Sequence, residues 1–158
     1  MDEAAKKTVL RMIPYGLFVL GARHGDELTA ATINWVTQSS FAPPLLVMGV
    51  KADSGAHALL KASGQFALSM LKSGQKDVAY AFFKSVAPEG QTIGGHAYSA
   101  ASNGCPTLDG AAGWVAGHVV EVFEKGDHSV VIGEVTEAKL HDAAEPLTLK
   151  EIGANYGG

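Results

Sequence analysis

The amino-acid sequence predicts a mainly β protein, in which about six strands form a closed barrel with two or three short helices at its periphery. Strand-like segments outnumber helical ones, and most of them are joined by short polar turns. The segment from Ala31 to Pro44 alternates small or apolar residues with polar ones, which is the period of a half-buried strand. The chain also has 19 glycines, many in turn-like positions, as the tight corners of a barrel require.

The predicted strands are short apolar or alternating segments bounded by Gly, Pro and polar turn residues. They cover residues 15–22, 28–40, 45–50, 65–71, 114–123 and 129–140. The polar turn 24–27 joins the first two strands as a hairpin, and the turn 124–128 joins the last two. Pro43 and Pro44 end the second strand because proline cannot donate a hydrogen bond to a neighbouring strand.

Three helical segments are predicted between and before these strands. Residues 2–12 carry a helical pattern that Pro14 ends. Ser54 is typical of a helix N-cap and Gly64 of a helix end, which predicts a helix over about 55–63. A third helix follows from apolar residues at three-and-four spacing, which are Val78, Ala79, Phe82 and Phe83.

The segment from Pro88 to Gly113 is rich in Gly, Ser, Asn and Pro and is predicted to be a long loop. Loops of this length inside a small domain tend to be functional. No repeat, linker or low-complexity tract interrupts the chain, so a single domain is expected over residues 1–158.

Composition excludes several classes of protein. Apolar residues make up 47% and charged residues 18%, as in a globular domain. A net charge of −4 argues against a nucleic-acid partner, and no apolar run is long enough to cross a bilayer. A single cysteine cannot form an internal disulfide, and the acidic start Met1-Asp2-Glu3 differs from a secretory signal. A cytoplasmic location is therefore expected.

The strand end before Pro43 and the turn that follows the next strand together suggest a ligand site. The strand end carries short polar side chains that suit a large, flat ligand with polar edges. The turn 51–57 leads into a helix whose N-terminus suits a phosphate, with Lys51, Ser54 and His57 as further donors. The alternative is that Ser54 only caps the helix and His57 lies on its solvated face. Neither a dinucleotide-binding glycine motif nor a P-loop is present.

Other reactive residues give weaker signals. His128 lies in the turn between the last two strands, where it is either an exposed turn residue or a polar group beside a ligand. Cys105 precedes a proline with no evident base nearby, so a packed thiol is favoured over a nucleophile. The six histidines show no metal-ligand spacing with one another or with Cys105, and no metal site is expected.

Several segments resemble, in order along nearly the whole chain, the flavin reductase-like, FMN-binding split-barrel family. They are Tyr15–Gly21, Thr32–Pro44, Phe66–Leu71, Phe82-Phe83, Asn103–Pro106, Gly126–His128 and Gly153–Gly157. The Trp-Val-Thr-Gln, Asn-Gly-Cys-Pro and Gly-Asp-His segments are similar to those of flavoredoxin, of the reductase domain of high-molecular-weight rubredoxin reductase, and of diflavin flavoproteins. The resemblance implies a homodimeric split β-barrel of Greek-key type that binds FMN, or FAD in some members.

The same resemblance implies an oxidoreductase that accepts hydride from NAD(P)H and passes electrons to free flavin, a rubredoxin-like or flavin-dependent partner, or a metal complex. The implied cofactor-binding residues are Thr32, Ile33, Asn34, Trp35, Thr37 and Gln38 for the ring, Ala52, Asp53, Ser54 and His57 for the phosphate, and Phe83. His128, Asn155 and Tyr156 are the implied nicotinamide contacts, and His128 is the candidate catalytic residue. The alternatives are a flavin electron carrier without its own nicotinamide site and a non-enzymatic flavin-binding domain.

Overall fold

The computed structural model describes residues 1–158 and contains eleven strands and three helices. The helices are α1 (Glu3–Leu10), α2 (Gly55–Ser63) and α3 (Lys76–Ala81). The strands are β1 (Phe18–His24), β2 (Glu27–Ile33), β3 (Val36–Phe41), β4 (Pro44–Lys51), β5 (Gln65–Met70), β6 (Pro88–Glu89), β7 (Thr92–Ile93), β8 (His96–Ala100), β9 (Pro106–Leu108), β10 (Gly113–Phe123) and β11 (His128–Leu140).

Seven of the strands form one antiparallel sheet in the order β2-β1-β5-β10-β11-β4-β3. The sheet curls around one apolar core, to which all seven strands and α2 contribute. Ile33 from one edge strand and Val36 from the other pack into this same core, so the two edges approach each other. The predicted mainly β split barrel is therefore confirmed.

The segment 28–40, predicted as one strand, is divided into β2 and β3 at Asn34 and Trp35. β2 pairs with β1, with Phe18 opposite Ile33, whereas β3 pairs with β4. The two halves of the segment thus lie at opposite edges of the sheet, and Asn34-Trp35 carry the chain from one edge to the other. The alternating pattern could not reveal the break, because it continues on both sides of it.

The prediction of a structureless loop over residues 88–113 is wrong. Four short strands, β6 to β9, form a second antiparallel sheet within this segment. Each has only two to five residues, too few to show an alternating pattern, and left-handed glycines separate several of them. β9 packs against the main sheet, where the Ser69 hydroxyl accepts a hydrogen bond from the Leu108 amide.

The helices follow the local signals to different degrees. Ser54 caps α2, with its Oγ accepting a hydrogen bond from the His57 amide, and Gly64 ends the helix in the left-handed conformation, as predicted. α1 is shorter than predicted and buries none of its residues. α3 ends before Phe82, which is buried, while Phe83 is half exposed. No helix has both the length and the apolar character needed to cross a membrane.

Replacement of Gly21 by alanine tests the close approach of β9 to the main sheet. A Cβ at this position would overlap the carbonyl oxygen of Pro106, so one backbone segment must move. We expect Gly21→Ala to lower the free energy of unfolding by about 1–3 kcal/mol, measured by urea denaturation.

Gly110→Ala is the matched control, because a Cβ there would meet only the end of the Gln75 side chain at 3.9 Å. Its effect should stay within about 0.5 kcal/mol of the wild type. Equal stability of the two variants would contradict the close approach.

Candidate functional site

A cavity of about 390 Å³ lies beside the break between β2 and β3. Its walls come from residues 31–34 beside the break, 49–51 and 53–55 at the end of β4 and the start of α2, and 83–85 after α3. His128 at the start of β11 and residues from the segment 149–156 complete it. The volume falls within the range of pockets that enclose small molecules and cofactors.

The C-terminal segment reaches the cavity because backbone hydrogen bonds fix its path. The Leu147 amide donates to the carbonyl of Leu71, and the Leu147 carbonyl accepts from the amide of Leu17. Two residues later, the Leu149 amide donates to the carbonyl of Tyr15. Ile152 is then buried in the apolar cluster beside the barrel, which leaves residues 154–156 along the cavity wall.

Nine of the predicted site residues line this cavity. They are Thr32, Ile33, Asn34, Asp53, Ser54, Phe83, His128, Asn155 and Tyr156. They come from five separate segments of the chain, which the fold brings to one place.

The other five predicted residues, which are Trp35, Thr37, Gln38, Ala52 and His57, do not line this cavity. Thr37 and Gln38 are exposed on the edge strand β3 and hydrogen-bond to neighbouring carbonyls of that strand. Ala52 lies in an exposed turn. His57 points away from the cavity, where its Nε2 lies 2.8 Å from the Ser129 hydroxyl.

Asn34 presents an unpaired hydrogen-bond donor in the cavity wall. The residue is only 7% exposed, and its Nδ2 has no partner within the chain. The backbone amides of Asn34 and Trp35 also have no partner, because the strand is broken there. A buried unpaired donor costs about 1–3 kcal/mol. The Asn34 side chain therefore fits a ligand with a hydrogen-bond acceptor along its edge, as a flavin ring has.

The cavity also has groups that fit an anionic ligand group. The N-terminus of α2, with its positive dipole end, lines the cavity together with Lys51 and Lys84. The Lys51 ammonium lies 3.1 Å from the Asp53 carboxylate, whereas Lys84 has no ion-pair partner. The Ser54 hydroxyl is already engaged, because it donates to the Lys51 carbonyl and accepts from the His57 amide.

The sequence prediction did not include Lys84 and Ser85. Both line the cavity, and the Ser85 hydroxyl accepts a hydrogen bond from the Ala56 amide in the first turn of α2. The available signal was a cation and a hydroxyl that directly follow Phe83. That signal is weak, because the sequence does not show that this segment packs against the start of α2.

An aromatic wall faces the cavity where β11 begins. His128 is the first residue of this strand rather than a turn residue, and its Nδ1 lies 2.9 Å from the Asp127 carboxylate. Its Nε2 lies 2.8 Å from the Tyr156 hydroxyl. Trp35 packs behind both rings, with centroid distances of 4.6 Å to His128 and 5.4 Å to Tyr156.

The charges along this wall follow from the same contacts. The hydrogen bond from His128 holds the pKa of Asp127 below its usual value, so Asp127 remains a carboxylate. In the tautomer that carries its proton on Nδ1, His128 donates to this carboxylate and its Nε2 accepts a hydrogen bond from the Tyr156 hydroxyl. Burial raises the pKa of Tyr156, which keeps the phenol protonated.

Cys105 is not suited to act as a nucleophile. The thiol is buried, and burial raises its pKa to about 11 even though Arg23 lies nearby. The Asn103 side chain accepts from the Cys105 amide and donates to the carbonyls of Phe66 and Gly117. This segment therefore joins the small sheet to the barrel and takes no part in the cavity.

The chain is similar in sequence to flavin reductases and to one part of larger flavoproteins. It is 26% identical to a flavin reductase of Pseudomonas putida, covering all of this chain and 91% of that protein. It is 29% identical to diflavin flavoprotein A 1 of Synechocystis sp., covering 99% of this chain. In that case the chain spans only 28% of the relative's length.

The fold is also similar to that of a solved reductase. An NADH:FAD oxidoreductase of Streptomyces globisporus superposes with a TM-score of 0.79 at 26% identity, covering 93% of this chain and 88% of that one. The family model of the flavin reductase like domain matches residues 10–156, which include every wall of the cavity. The chain belongs to the flavin reductase-like domain family of oxidoreductases.

Proposed function

We propose that the chain binds FMN in this cavity, accepts hydride from NAD(P)H, and passes electrons to free flavin, a rubredoxin-like partner or a metal complex. The observation that carries the proposal is the buried, unpaired amide of Asn34 in the cavity wall of a flavin reductase family member. We propose that residues 1–158 act as one domain. The single buried thiol is compatible with a reducing cytoplasm.

The chain's own residues divide the site into a ring end and a phosphate end. Asn34 donates to an acceptor on the ring edge, while Thr32, Ile33 and Phe83 provide the surrounding surface. Lys84 and the positive end of α2 hold the phosphate, and Ser54 supports that end as the helix cap. When bound, the flavin supplies the hydride-accepting chemistry, which no side chain of the chain provides.

His128, Tyr156 and Asn155 form the proposed nicotinamide side of the cavity. Asp127 keeps the proton on Nδ1 of His128, so the imidazole is held at both nitrogens and cannot rotate freely. This fixed aromatic surface orients an incoming ring and excludes water from it. Hydride transfer between two rings needs no general acid or base, so the role of His128 is contact and orientation.

FAD is the second candidate cofactor, because the similar Streptomyces protein is an NADH:FAD oxidoreductase. A flavin electron carrier without its own nicotinamide site is the second candidate function. It is supported by the diflavin flavoprotein relative, in which the matched segment is only 28% of a longer chain. A partner protein or domain would then deliver the electrons. A non-enzymatic flavin-binding domain would bind FMN but would accept electrons neither from NAD(P)H nor from a partner protein.

Purified protein should bind FMN at about one per chain. Its melting temperature should rise with added FMN, because a ligand that binds only the folded state stabilises it by mass action. Differential scanning fluorimetry and a flavin absorbance titration measure the two effects. No shift at saturating FMN or FAD would contradict flavin binding.

Riboflavin, which lacks the phosphate, separates the two ends of the site. Lys84→Ala should weaken FMN binding by roughly three- to tenfold and leave riboflavin binding unchanged, because an exposed charge contributes about 1 kcal/mol. Lys125→Ala, which changes a lysine outside the cavity, is the matched control. Equal losses for FMN and riboflavin would place Lys84 away from the phosphate.

His128→Ala should slow the reduction of bound flavin by NAD(P)H while FMN affinity stays nearly unchanged. Removal of the imidazole also frees Tyr156, so the nicotinamide side loses its fixed surface. Stopped-flow absorbance measures the reduction rate, and His118→Ala, on the exposed part of β10, is the control. Reduction within twofold of the wild-type rate would assign His128 a purely structural role.

We further propose a two-fold homodimer. Val120, Phe123 and Val130 form an exposed apolar patch on β10 and β11, with Phe123 paired to Val130 across the two strands. Val130 lies two residues from His128 on the same face of β11, so this surface adjoins the cavity.

Light scattering should give about twice the 16.4 kDa chain mass, and Phe123→Asp should lower the measured mass toward that of the monomer. A 16.4 kDa wild-type species at micromolar concentration would refute the dimer.

A further inference from the structure

We infer that His57 is a positioning residue, whose buried side chain ties the start of α2 to the start of β11 and thereby holds two walls of the cavity in register. The inference rests on the proposed function, because it assigns His57 an effect on flavin binding without contact with the flavin. It replaces the sequence-based expectation that His57 contacts the phosphate.

The His57–Ser129 contact is fully enclosed. His57 is 5% exposed and Ser129 is 0% exposed, and the imidazole Nε2 lies 2.8 Å from the serine hydroxyl. The backbone amide of His57 donates to Ser54 Oγ at 3.1 Å. One residue therefore holds the helix cap through its backbone and the barrel through its side chain.

Both hydrogen-bond partners of His57, Ser54 and Ser129, lie in the cavity wall or next to it in sequence. Ser129 directly follows His128, and it pairs with Val50 of β4 in the sheet. Ser54 and Gly55 precede His57 and line the cavity from the helix side. Ser54, His57 and Ser129 thus form a path of contacts from the proposed phosphate end to the proposed nicotinamide side.

The other contacts at this end of α2 constrain its position less. Ala56 and Leu60 pack into the barrel core, and such apolar contacts are non-directional. The Ser85 hydroxyl accepts from the Ala56 amide, and the next residue, Val86, pairs with Ala30, so this bond ties α2 to β2 and not to β11. The His57–Ser129 hydrogen bond is directional, and it fixes the first turn of α2 relative to β11.

The pair is not a hydrolytic nucleophile and base. Ser129 has no exposed surface, so a substrate cannot reach its hydroxyl. Glu124, the carboxylate near His57, lies 3.9 Å from the same Nε2 that faces Ser129, and it is engaged by Lys61 at 2.7 Å. An orienting carboxylate would lie at Nδ1 instead.

The test compares FMN affinity in variants that each lose one buried hydrogen bond. His57→Ala and Ser129→Ala should each raise the dissociation constant for FMN by about tenfold, and the double variant should show no further increase. His57→Gln, whose amide reaches the position of Nε2, should restore the affinity to within about threefold of the wild type. Fluorescence quenching at a temperature where all variants are folded gives the constants.

Ser69→Ala is the matched control. Ser69 is buried on β5, away from the cavity, and its hydroxyl accepts from the Leu108 amide at 3.0 Å. The Ser69→Ala variant should lower the melting temperature about as much as His57→Ala does, and it should leave FMN affinity unchanged. Equal melting-temperature losses with unchanged FMN affinity in all variants would overturn the inference. If His57→Ala fails to fold, Ser129→Ala and His57→Gln give the same comparison.

Hydrogen exchange separates this inference from the proposed function. In the protein without flavin, His57→Ala should speed amide exchange at residues 55–58 more than Ser69→Ala does. Faster exchange with no FMN binding by the wild type would support the positioning role and reject the flavin site. Unchanged exchange at residues 55–58 would overturn the positioning role, whatever the wild type binds.

Discussion

The passage of the chain between the two edges of the barrel sheet is the constraint on which the rest of the structure depends. β2 and β3 are the edge strands, and Asn34-Trp35 join them directly. At this point the backbone leaves one strand ladder before it enters another, so its amides have no partners. The cavity lies beside the same break, and the unpaired side-chain Nδ2 of Asn34 is buried in its wall. If the strand continued through Asn34-Trp35, the backbone amides would be paired and the cavity would not open there.

Different elements supply the cavity wall with different chemistry. Lys84 and the start of α2 contribute positive charge, whereas the charge of Lys51 is paired with Asp53. His128 and Tyr156, packed on Trp35, contribute aromatic surface. Asn34 adds hydrogen-bond donors. A ligand with an anionic tail and a flat, polar-edged ring meets suitable groups throughout, in agreement with membership of the flavin reductase-like family.

Residues behind the cavity wall hold the wall in place. Trp35 packs against the His128 and Tyr156 rings, and the Asp127 carboxylate lies 2.9 Å from Nδ1 of His128. His57 connects the α2 cap to β11. None of these three side chains lines the cavity, yet each contacts a residue that lines it or directly adjoins one that does. This second layer explains how segments far apart in sequence keep a fixed geometry.

The sequence by itself determined the elements that depend on neighbouring residues. The longer strands and α2, with its Ser54 cap and Gly64 end, follow from periodicity and backbone preference, which act over a few residues. Only the tertiary structure decided the small sheet, whose strands are too short for a pattern, and the break at Asn34-Trp35. It also decided that His57 turns toward Ser129, 72 positions away, and that Lys84 joins the cavity. Side-chain direction depends on which distant strands meet, and local sequence does not encode that pairing.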